Sequence, residues 1–473
     1  MYFSKLTSLL QALDKPAFKK LQAYIYSPYF RVPTAAVALF GYLQKQYPRF
    51  DEKKLHPTLI AAKVPRLPNA NKQAKASTYL LKAVEHFLAL EQLELKRSWR
   101  IIQLLQSQKR LGLNAAFEST LVKTVAEINR HDEKDIDYFF DMHQLAEIKH
   151  NGFYAKLQRN TGNNLLPVTE TFDTYYAVKT LRYHCELYSR HQVLGTGYEA
   201  GNITALLQVL RPYINPQYPY VYLFANVYQM MVAPTFEEGE IYYATLAGFI
   251  AENRYKILPQ GVKECITYLV NYSLMWNNCG HDKAGSHALD WYDTLIRYKL
   301  LPENGKILPS DYRNIVSLSI INKRDAKWLK DFIDSNETCL PQDYRDTNAA
   351  FARAQYYVYI GKYESAMPLF QQALAKDEPV FNMIVKNSQF KCLYESNLQN
   401  KEVLLDFLAS WERQLHRYTP GLHQLKKVFA KIISYSHKLV LAADKAERSK
   451  ILAALSKEPF FAGKQWLVSQ LKK

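Results

Sequence analysis

Residues 348–374 read NAAFARAQYYVYIGKYESAMPLFQQAL, and the reading of this stretch decides the fold. Ala354 and Tyr357 stand before a Gly361-Lys362 turn, and Tyr363, Ala366, Phe370, Ala373 and Leu374 stand after it. Both halves repeat apolar side chains at helical spacing, so each presents one face to a neighbour. The small side chains of Ala354 and Ala366 let two helices approach, and Tyr357 and Phe370 fill the gap between them. The reading is a pair of helices joined by a tight glycine turn.

Working outward, the pair belongs to a series. Pro216, Pro259, Pro302, Pro341, Pro379, Pro420 and Pro459 follow one another at nearly even steps. The shortest step runs from Pro341 to Pro379, and the longest are the two between Pro216 and Pro302. Leucine precedes three of the prolines directly (Leu258, Leu301, Leu340), each closing a stretch patterned like an amphipathic helix. Proline is common just past a helix end because it cannot continue the hydrogen-bond ladder. Pro219, Pro234, Pro309 and Pro368 fall outside the series. A second period does not involve proline: Ala288 with Tyr292, Trp328 with Phe332, Ala366 with Phe370, and Leu404 with Leu408 recur at nearly the same step. Two apolar side chains four positions apart share one helix face and bury together. Stacked two-helix units of about 40 residues explain both periods.

The 348–374 unit stands at the spacing of the tetratricopeptide repeat, and Gly361-Lys362-Tyr363-Glu364-Ser365-Ala366 resembles the turn between that repeat's two helices. Arg353 takes a position that is usually leucine, Pro368 lies within the second helix, and Pro379 comes one position late. The other units keep the apolar anchors but lose the small residues and run longer than the family period. The resemblance implies an all-α chain, a right-handed α-solenoid with a concave face that binds peptides, and no particular ligand. In the best unit it points Asn348, Phe351, Gln355 and Tyr359 towards that face. Ser27-Pro28-Tyr29-Phe30, after a short basic helix, resembles the opening of some bacterial proteins without an assigned function, and transfers none.

Other signals agree with a helical chain. Glycine occurs 16 times in 473 residues, Asp-Gly never, and Asn-Gly only at 151–152 and 304–305, so the usual hairpin turns are missing. The expected organisation is a basic short-helix segment at 1–68, a long-helix segment at 69–166, about seven helix pairs over 167–460, and a capping helix at 461–473. Asn151-Gly152 is expected to end or kink the fourth long helix. Tyrosine is abundant at 35 residues. Its commoner role is packing at helix seams, where the hydroxyl reaches a carbonyl or water; a tyrosine-lined ligand groove is the alternative.

Five widely spaced cysteines without a C-x-x-C pair suit reduced thiols in a cytoplasmic protein. The opening residues read as an ordinary first helix, and the longest apolar run, 218–233, is too short and polar to span a bilayer. Net charge is +17 and uneven: residues 1–100 hold 17 Lys and Arg against 6 Asp and Glu, and residues 401–473 hold 14 against 6. The 300 residues between carry −2.

No chemistry-bearing constellation is readable. Gly195-Thr196-Gly197 with Gly201 lacks the spacing and the preceding strand of a dinucleotide loop. His143, Glu147 and His150, then His184, Glu186 and His191, then Cys279, His281 and His287 have no second ligand pair at a distance that suits zinc. Asp135 with Asp137 and Glu237 with Glu238 read as helix starts. The expectation is a non-enzymatic scaffold with a protein or peptide partner, no cofactor, no metal, no small-molecule substrate and no membrane. The alternative is nucleic-acid or polyanion binding through Lys15, Lys19, Lys20, Arg31, Lys45, Arg49, Lys53 and Lys54, which interleave with Tyr24, Tyr26, Tyr29 and Phe30. Lys63, Arg66, Lys72 and Lys75 follow closely.

Overall fold

Proline opens helices in this chain more than it closes them. Pro57, Pro219, Pro259, Pro309 and Pro379 each occupy the first position of an α-helix, where the missing N–H costs nothing and the fixed φ suits the helix. Of the periodic series, Pro259 and Pro379 begin helices and Pro341 precedes one. Pro420 lies outside the described residues. Among the described residues Pro216 and Pro302 lie in connections and Pro459 follows the end of the helix Lys445–Lys457, while Leu301 and Leu340, before two of the prolines, also lie outside α-helices.

The computed structural model describes residues 4–130, 134–154, 165–194, 197–253, 257, 259–375, 378–396, 400–417, 423–461 and 463–473. It is 81% helical, with twenty-three α-helices and no strand among those residues; Glu303 and Lys306 form an isolated bridge. The chain divides into two units, residues 1–128 with 144–164, and residues 129–143 with 165–473.

The first unit contains α1 (Ser4–Ala12), α2 (Lys15–Tyr26), α3 (Thr34–Leu43), α4 (Pro57–Lys63), α5 (Ala70–Leu95), α6 (Arg97–Arg110), most of α7 (Asn114–Arg130) and the C-terminal part of α8 (Ile136–Tyr154). Asp14 caps α2 through Ala17 N–H, and Asn69 caps α5 through Lys72 N–H. Leu80, Val84 and Phe87 of α5 bury against Leu6, Leu21, Leu39 and Phe40, so one core runs from α1 into α5. The apolar stripe does not stay covered: Leu95 at the end of α5 is exposed. Gln73 donates to the carbonyls of Pro57 and Leu67, which pins the link between α4 and α5. A second small core joins Ile102 and Leu105 of α6, Phe117 and Leu121 of α7, and Leu145 and Ile148 of α8. α8 continues through Asn151 and Gly152.

The second unit opens with the N-terminal part of α8 and then α9 (Leu166–Leu194) with α10 (Ile203–Leu210). Next come α11 (Pro219–Val232) with α12 (Phe236–Asn253), α13 (Pro259–Asn278) with α14 (Asp282–Arg297), and α15 (Pro309–Ile321) with α16 (Ala326–Asn336). Then follow α17 (Gln342–Tyr359) with α18 (Tyr363–Gln372), α19 (Pro379–Glu395) with α20 (Lys401–Arg417), α21 (His423–Leu441) with α22 (Lys445–Lys457), and α23 (Lys464–Leu471). α18 runs through Pro368. Helices also pack across pairs: α11 on α13, α15 on α17 and α17 on α19. Seven of the eight anchors are buried, and Trp328 is half-buried on the same core. Near the C-terminus, Glu395 of α19 accepts hydrogen bonds from Trp466 Nε1 at 2.6 Å and Gln470 Nε2 at 3.2 Å, which fastens α23. Phe460 lies on the glycine turn between α13 and α14; its Cδ2 is 2.7 Å from where a Cβ of Gly280 would stand.

Candidate functional site

The quartet on α17 is taken up by its neighbours. Asn348 is fully buried; its Nδ2 donates to the Tyr344 carbonyl at 2.7 Å and its Oδ1 accepts from Arg313 Nη1 at 2.7 Å. Phe351 is 1% exposed, between the rings of Phe370 and Phe381. Gln355 donates to Ser388 Oγ at 3.2 Å, and the Tyr359 hydroxyl donates to the Arg324 carbonyl at 2.8 Å. Arg313 ties the arrangement together: from α15 it reaches Asn348 on α17, lies 4.5 Å from the centre of the Phe381 ring on α19, and stands 3.8 Å from Glu378. Burial pulls its guanidinium below the usual range, and Glu378 opposes that pull. Asn348 and Phe351 are thus buried in seams between helices, while Gln355 and Tyr359 are half-buried beside them.

Of the eight basic residues, Lys15, Lys19 and Lys20 share α2, Lys53 and Lys54 are adjacent, and Lys45 lines a groove. Lys15, Lys19, Arg31, Arg49, Lys53 and Lys54 are exposed, and Lys20 pairs with Glu91 at 2.6 Å. Of the interleaved aromatics, Tyr24 is buried with Phe30 stacked on it at 4.1 Å, while Tyr26 and Tyr29 are exposed. Lys45 lines a groove of about 680 Å³ with Lys63 and Arg66; its floor includes Val37, Ala38 and Val64.

Two smaller cavities lie in the second unit. One, of about 180 Å³, holds Arg182 and Glu264, whose Nε and Oε1 are 2.8 Å apart, with Lys134, Tyr220 and Gln260 around them. The pair is matched in charge, so the cavity has no unbalanced arginine to recruit an anion. The other, of about 210 Å³, is lined by Tyr138, Phe139, Tyr213 and Tyr218, so that three tyrosines gather around it. The histidines find local roles. His184 Nδ1 lies 3.0 Å from the Tyr198 hydroxyl, with burial lowering its pKa; His281 packs on Phe236 and His287 on Tyr243. Among the described residues no three His, Cys, Asp or Glu side chains converge as metal ligands. The half-buried Lys391 is pushed down to about 8 by burial, against the pull of Glu395, beneath the Trp466 ring.

A different surface stands out on α9. Phe172, Tyr176, Tyr183 and Leu187 are 46–53% exposed, and their spacings of 4, 7 and 4 place them along one helix face. The opposite face, with Ala177, Val178, Leu181 and Cys185, is fully buried against α10 and α11. A surface helix ordinarily carries one apolar stripe, and α9 carries two. The second stripe was present in the sequence as that spacing, but it merged with the core stripe because apolar residues then occur all round the helix.

No protein-family model matches the chain, and no curated protein and no solved structure matches it significantly.

Proposed function

We propose that this chain is a non-enzymatic scaffold that holds a protein partner on the helical array of its second unit. The observation that carries the reading is the α9 stripe: four large apolar side chains, about half exposed, on a helix already anchored by its other face. Large apolar side chains gathered on one exposed helix face mark an interaction surface more often than isolated ones do; here Lys179 stands between Tyr176 and Tyr183, its ammonium 5.4 Å from the Tyr183 ring centre. In this reading the helix pairs form a right-handed, tetratricopeptide-like solenoid. Its support is the recurrence of buried anchors on α14, α16, α18 and α20, and the packing of α15 on α17 and α17 on α19. The position of Phe460 on the Gly280 turn favours a sharply curved array, whose inner face is partly closed by its own side chains. Buried free thiols at Cys185, Cys265 and Cys392 suit a reducing, cytoplasmic setting.

The test is affinity capture from the native host with the full chain and a variant carrying Phe172→Ser, Tyr176→Ser, Tyr183→Ser and Leu187→Ser. The variant is expected to keep its helical circular dichroism and melting temperature and to lose the partner that the parent retains. A partner held equally by both proteins removes the stripe as its seat.

A further inference from the structure

The groove in the first unit is assembled from two chain segments. α3 supplies Val37, Ala38 and Gly41, and Lys45 follows just past its end; Lys63, Val64, Pro65 and Arg66 form the other wall where the chain leaves α4. Small side chains at Ala38 and Gly41 leave the floor shallow and apolar. Three cations line the groove, and no carboxylate does.

That imbalance is not repaired by neighbours. Residues 1–100 contain six carboxylates, and five are engaged elsewhere. Glu85 pairs with Lys5, Glu91 with Lys20 and Glu94 with Arg100. Asp14 and Asp51 accept backbone N–H groups at helix starts. Lys45, Lys63 and Arg66 are exposed and have no ion-pair partner among the described residues.

We propose that this groove binds an acidic amphipathic peptide segment of a partner protein. An apolar floor takes the apolar side chains of such a segment, and the flanking cations meet its carboxylates. The floor argues against nucleic acid as the occupant. Base stacking needs an exposed ring face. Tyr42 in the groove is buried with its hydroxyl donating to the Lys54 carbonyl at 2.6 Å, and the half-exposed Tyr26 meets the groove at Gly41 through its hydroxyl, 3.5 Å from where a Gly41 Cβ would stand, with its ring against Phe40. The volume of about 680 Å³ suits a few side chains of a peptide. This site stands independently of the α9 stripe, because it lies in the other unit and names a partner of different chemistry.

The experiment uses the full chain and a fluorescein-labelled synthetic peptide with leucines on one helical face and glutamates elsewhere. Controls are the same peptide with glutamine for glutamate, and single-stranded and duplex DNA oligonucleotides. Anisotropy titrations at roughly 50 and 200 mM salt are expected to show binding of the glutamate peptide that weakens with salt. Lys45→Glu with Lys63→Glu and Arg66→Glu is expected to weaken it at least about tenfold. Ala38→Trp, which fills the floor and leaves charge unchanged, is expected to abolish it. Lys72→Glu with Lys75→Glu, exposed cations outside the groove, is expected to leave it unchanged. The proposal is overturned by equal binding of the glutamine peptide, by equal loss in the Lys72/Lys75 variant, by full binding in the Ala38→Trp protein, or by no binding at the lower salt. Tighter binding of either oligonucleotide replaces the peptide with nucleic acid. The charge reversals lie at exposed positions, so their readout does not depend on the fate of the Ala38→Trp fold.

Discussion

Two glycines in α12 face opposite circumstances. A Cβ on Gly239 would stand 2.0 Å from the Tyr272 hydroxyl and 2.8 Å from its Cζ, closer than any real Cβ contact allows. Tyr272 cannot yield easily: it is 2% exposed, and its hydroxyl donates to the Phe236 carbonyl at 3.2 Å. Gly248, further along the same helix, has nothing within 4 Å of the same point. Gly239→Ala is therefore expected to destabilise by roughly 2–4 kcal/mol, from overpacking and a strained hydrogen bond. Gly248→Ala is expected to stabilise by about 0.5–1 kcal/mol, because a mid-helix glycine wastes backbone entropy. Urea unfolding of the two variants reads both signs within one helix. Equal effects would mean that the α12–α13 approach is looser than described. Gly239 gives no hint of this role in the sequence, since the ring that needs its space belongs to the next helix.

At the scale of elements, helix positions were largely legible and helix surroundings were not. The spacing predicts helices at 344–360, 381–396 and 401–416, and the structure has Gln342–Tyr359, Pro379–Glu395 and Lys401–Arg417. Apolar periodicity and proline are local signals, so they locate a helix without reference to its neighbours. The α17 quartet depends on what lies across the seam: Arg313 of α15 against Asn348, and Phe381 of α19 against Phe351. No local pattern reports which residues of one helix a neighbouring helix will cover. The Arg182–Glu264 pair and the α3–α4 groove were hidden for the same reason. A consequence follows for Phe351→Ala, which is expected to cost roughly 3–5 kcal/mol, as for other buried phenylalanines. Replacing Phe351, Gln355 and Tyr359 together by alanine should lower the melting temperature strongly, so lost binding in that protein reports stability. A triple variant that melts like the parent would show that α17 is open to solvent.

Charge acts on the whole molecule. The chain carries +17, concentrated towards its two ends, and a net charge of that size repels itself whichever surfaces it occupies. Opposing this are ion pairs such as Lys5–Glu85 and Arg190–Glu186, which are largely exposed. Pairs of that kind contribute about 0–1 kcal/mol each. Raising ionic strength from about 10 to 150 mM shortens the screening length from about 30 to 8 Å. That removes repulsion between distant cations more than attraction between groups about 3 Å apart. The melting temperature is therefore expected to rise with sodium chloride over this range. Reversing Lys45, Lys63 and Arg66 to glutamate removes two charges at each site and lowers the net charge from +17 to +11. The same salt increase should then raise the melting temperature less. A melting temperature that falls with salt in the parent would mean that the exposed pairs outweigh the surplus. An undiminished rise in the reversed variant would place the governing repulsion elsewhere, with the basic residues of 401–473 the next to reverse.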